Sequence, residues 1–133
     1  MNTDLEGSEA VTQGIRVVVE PQYFAERSVP EQGLWFFLYT VTISNEGLEK
    51  AKLVTRHWII TDGDGSQEEV KGPGVVGETP VLAPGESFSY TSGCPLSHPF
   101  GSMRGTYQMV AESGHSFDAE IATFELVGPY TVH

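Results

Sequence analysis

The hydrophobic pattern constrains the fold most strongly, because it has the period of β-strands along almost the whole chain. Ile15, Val17 and Val19 alternate with more polar residues, and the segment 34–43 is almost continuously apolar and rich in aromatic and β-branched side chains. Alternation is typical of a half-buried strand, and a continuous apolar run is typical of a strand covered on both faces. No segment has a capped helical period of useful length. The pattern therefore predicts an all-β protein.

Turn residues separate the predicted strands at regular intervals. Asp62-Gly63-Asp64-Gly65 predicts a hairpin turn, and Ala83-Pro84-Gly85-Glu86 predicts a β-turn with Pro and Gly at its central positions. The predicted strands are 15–20, 34–43, 53–60, 67–71, 88–91, 103–111 and 117–127. About seven such strands without a repeat predict an antiparallel β-sandwich of immunoglobulin or fibronectin type III-like character, with a closed barrel as the alternative.

The length of 133 residues fits one domain. Residues 1–12 are polar and aperiodic, so we expect a disordered N-terminal tail before a domain that spans 13–133. Trp58 fits the buried tryptophan between the sheets of such a sandwich, and Tyr107 after Gly105 fits a tyrosine corner. Both are equally well explained as ordinary core aromatics.

The charge balance argues against several classes of partner. Seven basic residues face eighteen acidic ones, for a net charge of −11, and an acidic surface repels the phosphates of nucleic acid and of anionic lipid. No apolar stretch is long enough to cross a bilayer, and residues 1–10 do not resemble a signal peptide. We therefore expect no nucleic-acid binding, no membrane insertion and a cytoplasmic location.

Four segments together resemble the ApaG family in order and spacing. They are RHWII at 56–60, VKGPGVVGE at 70–78, LAPGESFSYTSG at 82–93 and GSMRGTYQM at 101–109. The resemblance implies a fibronectin type III-like sandwich and identifies 13–133 as an ApaG domain. It also implies a link to cobalt resistance and magnesium efflux. Because no membrane span is predicted, such a link would be indirect.

The glycines of the segment 70–78 have the spacing G-x-G-x-x-G. In a Rossmann fold such glycines open a helix that binds pyrophosphate, but here prolines interrupt the segment and no helix is predicted. We therefore expect no cofactor. Two interpretations remain: a tight chain crossing that needs glycine backbone angles, or an anion-binding turn assisted by nearby cations. The candidate residues for binding a ligand or partner are Arg56, His57, Lys71, Gly72, Gly74 and Gly77.

Two stretches rich in Gly and Pro, 72–84 and 92–102, are predicted to be long loops, where binding sites are common. The histidines do not pair with one another or with Cys94 at the spacing of metal ligands, so no metal site is predicted. They are His57, His98, His115 and His133. The chain also lacks the signals of a nucleophile beside a base, and Cys94 is expected to be inert.

These observations favour a non-enzymatic binding or regulatory module that acts through protein–protein interaction, with a homodimer through a sheet edge as one form of it. The alternative is a sensor that binds pyrophosphate, nucleotides or divalent cations through the glycine-rich loop. A third hypothesis, a hydrolase of diadenosine polyphosphates, is suggested only by what the family name evokes.

Overall fold

The computed structural model describes residues 3–129, with side chains from Leu5 onward; His133 lies outside the described residues. It contains ten strands and two short 3-10 turns, at Ala25–Arg27 and Pro30–Gln32. The strands are β1 Thr3–Asp4, β2 Ser8–Thr12, β3 Ile15–Tyr23, β4 Trp35–Asn45, β5 Ala51–Asp62, β6 Gln67–Pro73, β7 Val81–Leu82, β8 Ser87–Leu96, β9 Phe100–Ala111 and β10 Ser116–Val127.

The strands form two antiparallel sheets, which confirms the predicted β-sandwich. The first sheet has the order β1-β3-β4-β8, and β2 lies beside β3. The second has the order β10-β9-β5-β6. The short strand β7 pairs with the start of β5, along the same edge of β5 as β6. The hairpin turn after Asp62 and the β-turn from Ala83 to Glu86 form as predicted, each closed by a backbone hydrogen bond.

Aromatic side chains occupy the space between the sheets. Trp58 on β5 is 3% exposed, and its ring makes edge contacts with Tyr39 of the opposite sheet and with Phe124, at centroid distances of 5.3 and 6.1 Å. Tyr107 is fully buried, and its hydroxyl hydrogen-bonds the hydroxyl of Tyr90 in the first sheet. It therefore bridges the sheets, whereas a tyrosine corner would bond to backbone. Burial raises the pKa of both tyrosines, so both are neutral.

The N-terminal segment is more ordered than the sequence predicts. Residues 8–12 form β2, which pairs with Ile15–Val19 of β3, so the expectation of a disordered tail is corrected for this segment. The cause is a set of long-range hydrogen bonds. The Ser8 hydroxyl donates to the Ala122 carbonyl, and the Glu120 amide donates to the Thr12 hydroxyl. Local pattern analysis cannot detect such bonds.

The predicted loop 92–102 is largely strand, and the predicted loop 72–84 is strand at 72–73 and 81–82. Residues 92–96 continue β8 along β4, and only 97–99 connect it to β9. Residues 72–84 follow one edge of β5: β6 runs to Pro73, the Gly74 amide donates to the Val54 carbonyl, and β7 pairs further along. Among the described residues, no helix has the length and hydropathy needed to cross a membrane.

Candidate functional site

A groove of about 520 Å³ lies where β6 and β9 flank β5. In the paired strands, His57 lies opposite Lys71 and Thr55 lies opposite Pro73. Successive side chains of a strand alternate between the two faces, so these positions present their side chains on one face of the sheet. The groove is lined by Thr55, Arg56, His57, Lys71, Gly72, Pro73 and Gln108.

Arg56 joins the groove to the glycine-rich segment. Its Nη1 atom donates hydrogen bonds to the carbonyl oxygens of Pro73 and Gly74, at 2.8 and 2.9 Å. The guanidinium lies close over Gly72, where an added Cβ atom would be 3.0 Å from Nη2. Part of the donor capacity of Arg56 therefore satisfies backbone carbonyls of its own chain, and the absence of a side chain at residue 72 makes room for the guanidinium.

The other polar groups of the groove differ in how strongly they are held. His57 Nε2 lies 2.8 Å from Glu69 Oε1, and this hydrogen bond lowers the pKa of Glu69 below its usual range. Thr55 donates a hydrogen bond of 2.8 Å to Gln108. The Lys71 side chain is exposed, and within residues 5–129 its ammonium makes no ion pair. Lys71 is therefore the cation of the groove that is most available to a ligand or partner.

The glycine-rich segment ends in a two-residue hairpin turn. Val75 and Glu78 exchange both backbone hydrogen bonds, at 2.8 and 2.9 Å, and Val76 and Gly77 between them have φ values of 42° and 81°. Positive φ at both central residues defines a type I′ turn. Gly74 also has a positive φ, 59°. The prediction that this segment needs glycine backbone angles is confirmed for Gly74 and Gly77.

The hydrogen bonds of this hairpin bear on the anion-binding interpretation. Pro73 has no amide hydrogen, and the amides of Gly74, Val75 and Glu78 donate to carbonyl oxygens of the chain. An anion-binding turn needs successive amides that point at one place. In this segment most of the amides are already used, so its glycines are explained by the geometry of the turn.

The structure brings together four of the six candidate residues. Arg56, His57, Lys71 and Gly72 line the groove, whereas Gly74 and Gly77 belong to the adjoining hairpin. Sequence reasoning missed Thr55, Gln108 and Val76. The first two are ordinary strand residues until the β5–β9 register is known. Val76 is exceptional only for its backbone angle, which a β-branched residue rarely adopts.

Basic residues gather near the groove although the chain is acidic. Four of the seven Lys and Arg residues lie on β5, β6 and β9. Of these, Arg56 and Lys71 line the groove, and Arg104 lines a neighbouring depression that also contacts His57. Glu69 lies beside His57, and Glu120 lies with Arg104 in that depression. The surface is therefore a mixture of both signs with local cations, and this pattern suits directional polar contacts better than general attraction of an anion.

Comparison with known proteins settles the family. The model of the ApaG domain matches residues 25–111. The chain belongs to the ApaG family. It is 53% identical over 122 residues to protein ApaG of Methylobacterium sp. (strain 4-46), covering 92% of this chain and 94% of that protein. It is 55% identical over 120 residues to protein ApaG of Bradyrhizobium sp. (strain ORS 278), covering 90% and 92%.

Solved structures share the fold at both high and low sequence identity. The crystal structure of an ApaA protein from Bordetella pertussis is 53% identical and superposes with a TM-score of 0.85, covering 88% of this chain and 95% of that one. The C-terminal domain of Wzt is only 12% identical, with a TM-score of 0.55 over 96% of this chain and 80% of that one. The second likeness shows the fold alone.

Within the described residues, metal-ligand clusters are absent and the cysteine is buried. No group of three or more His, Cys, Asp and Glu side chains within 5–129 is placed to hold a metal ion. Cys94 is 2% exposed, and burial raises the pKa of its thiol to about 12. Because the thiolate is the reactive form, this cysteine is inert near neutral pH.

Asp62 links the β5–β6 turn to the connection between the two sheets. Its Oδ1 atom accepts hydrogen bonds from the Gly63 amide and from His98, at 2.7 and 2.9 Å, and its Oδ2 atom accepts one from the Ser97 amide at 2.9 Å. Burial by itself would raise the pKa of Asp62, but the hydrogen bonds from Ser97, Gly63 and His98 together lower it. This carboxylate therefore has a structural role.

Asp62→Asn is expected to lower the free energy of unfolding at pH 7 by about 1–2 kcal/mol. Both carboxylate oxygens of Asp62 accept hydrogen bonds, whereas in an asparagine amide only the oxygen can accept them and the nitrogen donates. A group whose pKa is lowered by folding stabilises the protein above its unfolded pKa, and this contribution disappears as the pH falls through the folded pKa. The difference between wild type and variant should therefore shrink in acid. Urea unfolding at pH 7 and at pH 3 measures both values.

Asp64→Asn is the matched control, since among residues 5–129 the side chain of Asp64 accepts hydrogen bonds only from Ser66 of the same exposed turn. We expect a clearly smaller loss at pH 7 for this variant. Equal losses for the two variants would contradict the role assigned to Asp62.

Proposed function

We propose that this ApaG-family chain is a non-enzymatic binding module that acts in the cytoplasm by contact with another protein. The contact surface is the groove together with the Val75–Glu78 hairpin, which we call the hairpin–groove surface. The link to cobalt resistance and magnesium efflux that the family resemblance implies would then be indirect, through the partner. The geometry of Val76 supports this proposal most directly.

The side chain of Val76 contributes little to the stability of the fold. Its side chain is 57% exposed, and its φ of 42° lies in the left-handed region. A non-glycine residue in this region costs about 1–2 kcal/mol, and turns of this type favour Asn or Gly. Val75 beside it is buried and fixes the hairpin to the core. The strained and exposed valine is therefore best explained by an apolar contact with another molecule.

The rest of the surface has the composition of a protein interface. Protein interfaces combine an apolar centre with a polar rim that makes hydrogen bonds. Here Val76 and Pro73 supply exposed apolar groups, Thr55 and Gln108 supply hydrogen-bonding groups, and Lys71 supplies an exposed cation. Because residues of three neighbouring strands line the groove, it suits a polypeptide segment of the partner.

The test compares wild type with Val76→Asn in affinity capture from a lysate, followed by titration of the purified partner. Asn tolerates the left-handed region, so this variant should gain about 0.5–1 kcal/mol of stability while binding weakens at least about tenfold. Val81→Asn is the matched control, because Val81 is 55% exposed and lies in a strand. The proposal would be contradicted by a partner that binds saturably and binds both variants as tightly as wild type. It would also be contradicted if the wild type captures no partner that binds saturably.

The sensor function is the second candidate, and the cations Arg56 and Lys71 in the groove favour it. The occupied amides of the hairpin oppose it. Calorimetry with pyrophosphate, nucleotides, Mg²⁺ and Co²⁺ separates the two functions. Saturable binding of pyrophosphate that Lys71→Ala removes at an unchanged melting temperature would favour the sensor. Lys71 is the suitable residue for this test, because replacing Arg56 would also leave two carbonyl groups unpaired.

A further inference from the structure

The outer edge of β8 is unpaired in the part of the chain that the structure describes. β8 pairs with β4 on one side, and none of the strands β1 to β10 lies on its other side. Successive residues of an antiparallel strand direct their backbone groups alternately to the two sides. The Asn45 amide donates to the Glu86 carbonyl, so the even-numbered residues of β8 face β4. The backbone groups that point outwards are those of Ser87, Ser89, Thr91, Gly93 and Pro95.

The other long edges of the sandwich are protected. β6 carries Glu68, Glu69 and Lys71 and ends in a proline, and such residues discourage pairing at an edge. The free side of β10 is closed by β2, because the Glu120 amide and the Ala122 carbonyl bond to hydroxyl groups of that strand. β8 contains no charged residue from end to end. Only its Pro95, near one end, limits pairing.

The exposed face of β8 repeats the pattern of the strand that β8 already pairs with. Residues 40–44 of β4 read Thr-Val-Thr-Ile-Ser, and residues 87–91 of β8 read Ser-Phe-Ser-Tyr-Thr. In both segments hydroxyl residues alternate with apolar ones. Hydroxyl groups pair across the two strands at 2.7–2.8 Å, in the pairs Thr40–Thr91, Thr42–Ser89 and Ser44–Ser87. A second β8 could therefore lie on the free edge much as β4 lies on the other.

We propose that β8 pairs antiparallel with β8 of a second copy of this chain, over residues 87–93, so that the first sheets of two copies form one continuous sheet. In a two-fold symmetric pair, β8 of one copy lies opposite β8 of the other, so a charged residue near the axis would lie close to the same charge. β8 contains no charged residue, so its pairing with a second β8 brings no like charges together. Pairing would also cover Phe88, which is half-buried in the single chain. The hairpin–groove surface takes no part, so this proposal is independent of the proposed function.

Sedimentation equilibrium over a range of protein concentrations tests the pairing. The mass of wild type should rise from the 14.5 kDa of one chain to twice that value. The buffer should have physiological ionic strength or above, because each copy has a net charge of −11 and salt screens their repulsion. Ser89→Lys places like charges near each other across the pair and should weaken dimerisation by roughly tenfold or more. Ser113→Lys, in the exposed turn after β9, is the matched control and should dimerise like wild type.

Hydrogen exchange provides a test that needs no variant. Raising the protein concentration should slow exchange of the outward amides of Ser87, Ser89, Thr91 and Gly93. The inward amides, which already bond to β4, should change much less. A wild type that stays monomeric at high concentration would overturn the proposal. So would a dimer that Ser89→Lys leaves unchanged, or protection of the outward amides that appears only when a different protein is added.

Discussion

Replacing Trp58 with alanine is expected to lower the free energy of unfolding by about 3–5 kcal/mol, because the change removes a large buried ring and leaves a cavity. Trp58 is 3% exposed. It makes edge contacts with Tyr39, Tyr107 and Phe124, which come from strands of both sheets. Its loss therefore weakens the packing of one sheet on the other. Urea unfolding followed by far-ultraviolet circular dichroism measures this effect without relying on tryptophan fluorescence.

Trp58→Phe is the control for this prediction, since it retains an aromatic ring in the same position. We expect it to recover more than half of the stability that the alanine variant loses. If alanine at this position costs less than about 2 kcal/mol, the central role of Trp58 between the sheets is wrong.

The sequence predicts the strands that have a clear hydrophobic pattern and misses those that depend on distant partners. All seven predicted strands are present. Six of them have enough apolar residues to form a buried face, whereas β6 has no buried residue and follows from the hairpin turn after Asp62. β2, with the sequence SEAVT, has no such pattern. It is a strand because it pairs with β3 and because its hydroxyl groups bond to backbone of β10. β7 is equally dependent on the chain next to it, since it is short and pairs only with the start of β5.

Glycine and proline, which local sequence analysis takes as the end of a strand, are tolerated in a strand at the edge of a sheet. Gly93 and Pro95 led to the prediction of a loop over 92–102. In the structure Pro95 lies on the edge strand β8 with its nitrogen facing outward, so its missing amide hydrogen removes no bond to β4. Gly93 lies under the ring of Phe36, which leaves no room for a side chain. Which strand lies at an edge is a property of the whole topology.

The candidate site was predictable in its position and only partly in its chemistry. The glycine spacing and the neighbouring cations indicated the region in which the structure has a groove and a hairpin, and Gly74 and Gly77 have the backbone angles that the sequence implied. The sequence could not show that Arg56 bonds to backbone carbonyls, because this contact depends on the β5–β6 register. Nor could it show the turn at Val76, since valine argues against a type I′ turn.

Replacing Gly74 with alanine is expected to lower the free energy of unfolding by about 2–4 kcal/mol, whereas Gly77→Ala should cost only about 1 kcal/mol. Both glycines have positive φ values, so both variants carry backbone strain. They differ in the space around them. A Cβ atom on Gly74 would lie 2.2 Å from the Glu78 carbonyl oxygen, which accepts the Val75 amide, whereas a Cβ atom on Gly77 has no atom within 4 Å. Equilibrium unfolding of the two variants measures the difference.

The same pair of variants connects the hairpin to the proposed function. In Gly77→Ala the backbone hydrogen bonds between Val75 and Glu78 can remain, so the position of Val76 and the affinity for a protein partner should be nearly unchanged. In Gly74→Ala the Glu78 carbonyl must move, so the hairpin and its exposed valine move with it. We therefore expect partner binding to weaken at least about tenfold at a temperature where this variant is still folded. Equal stability losses for the two variants would contradict the steric argument. Unchanged binding by a folded Gly74→Ala variant would show that the partner does not contact the hairpin.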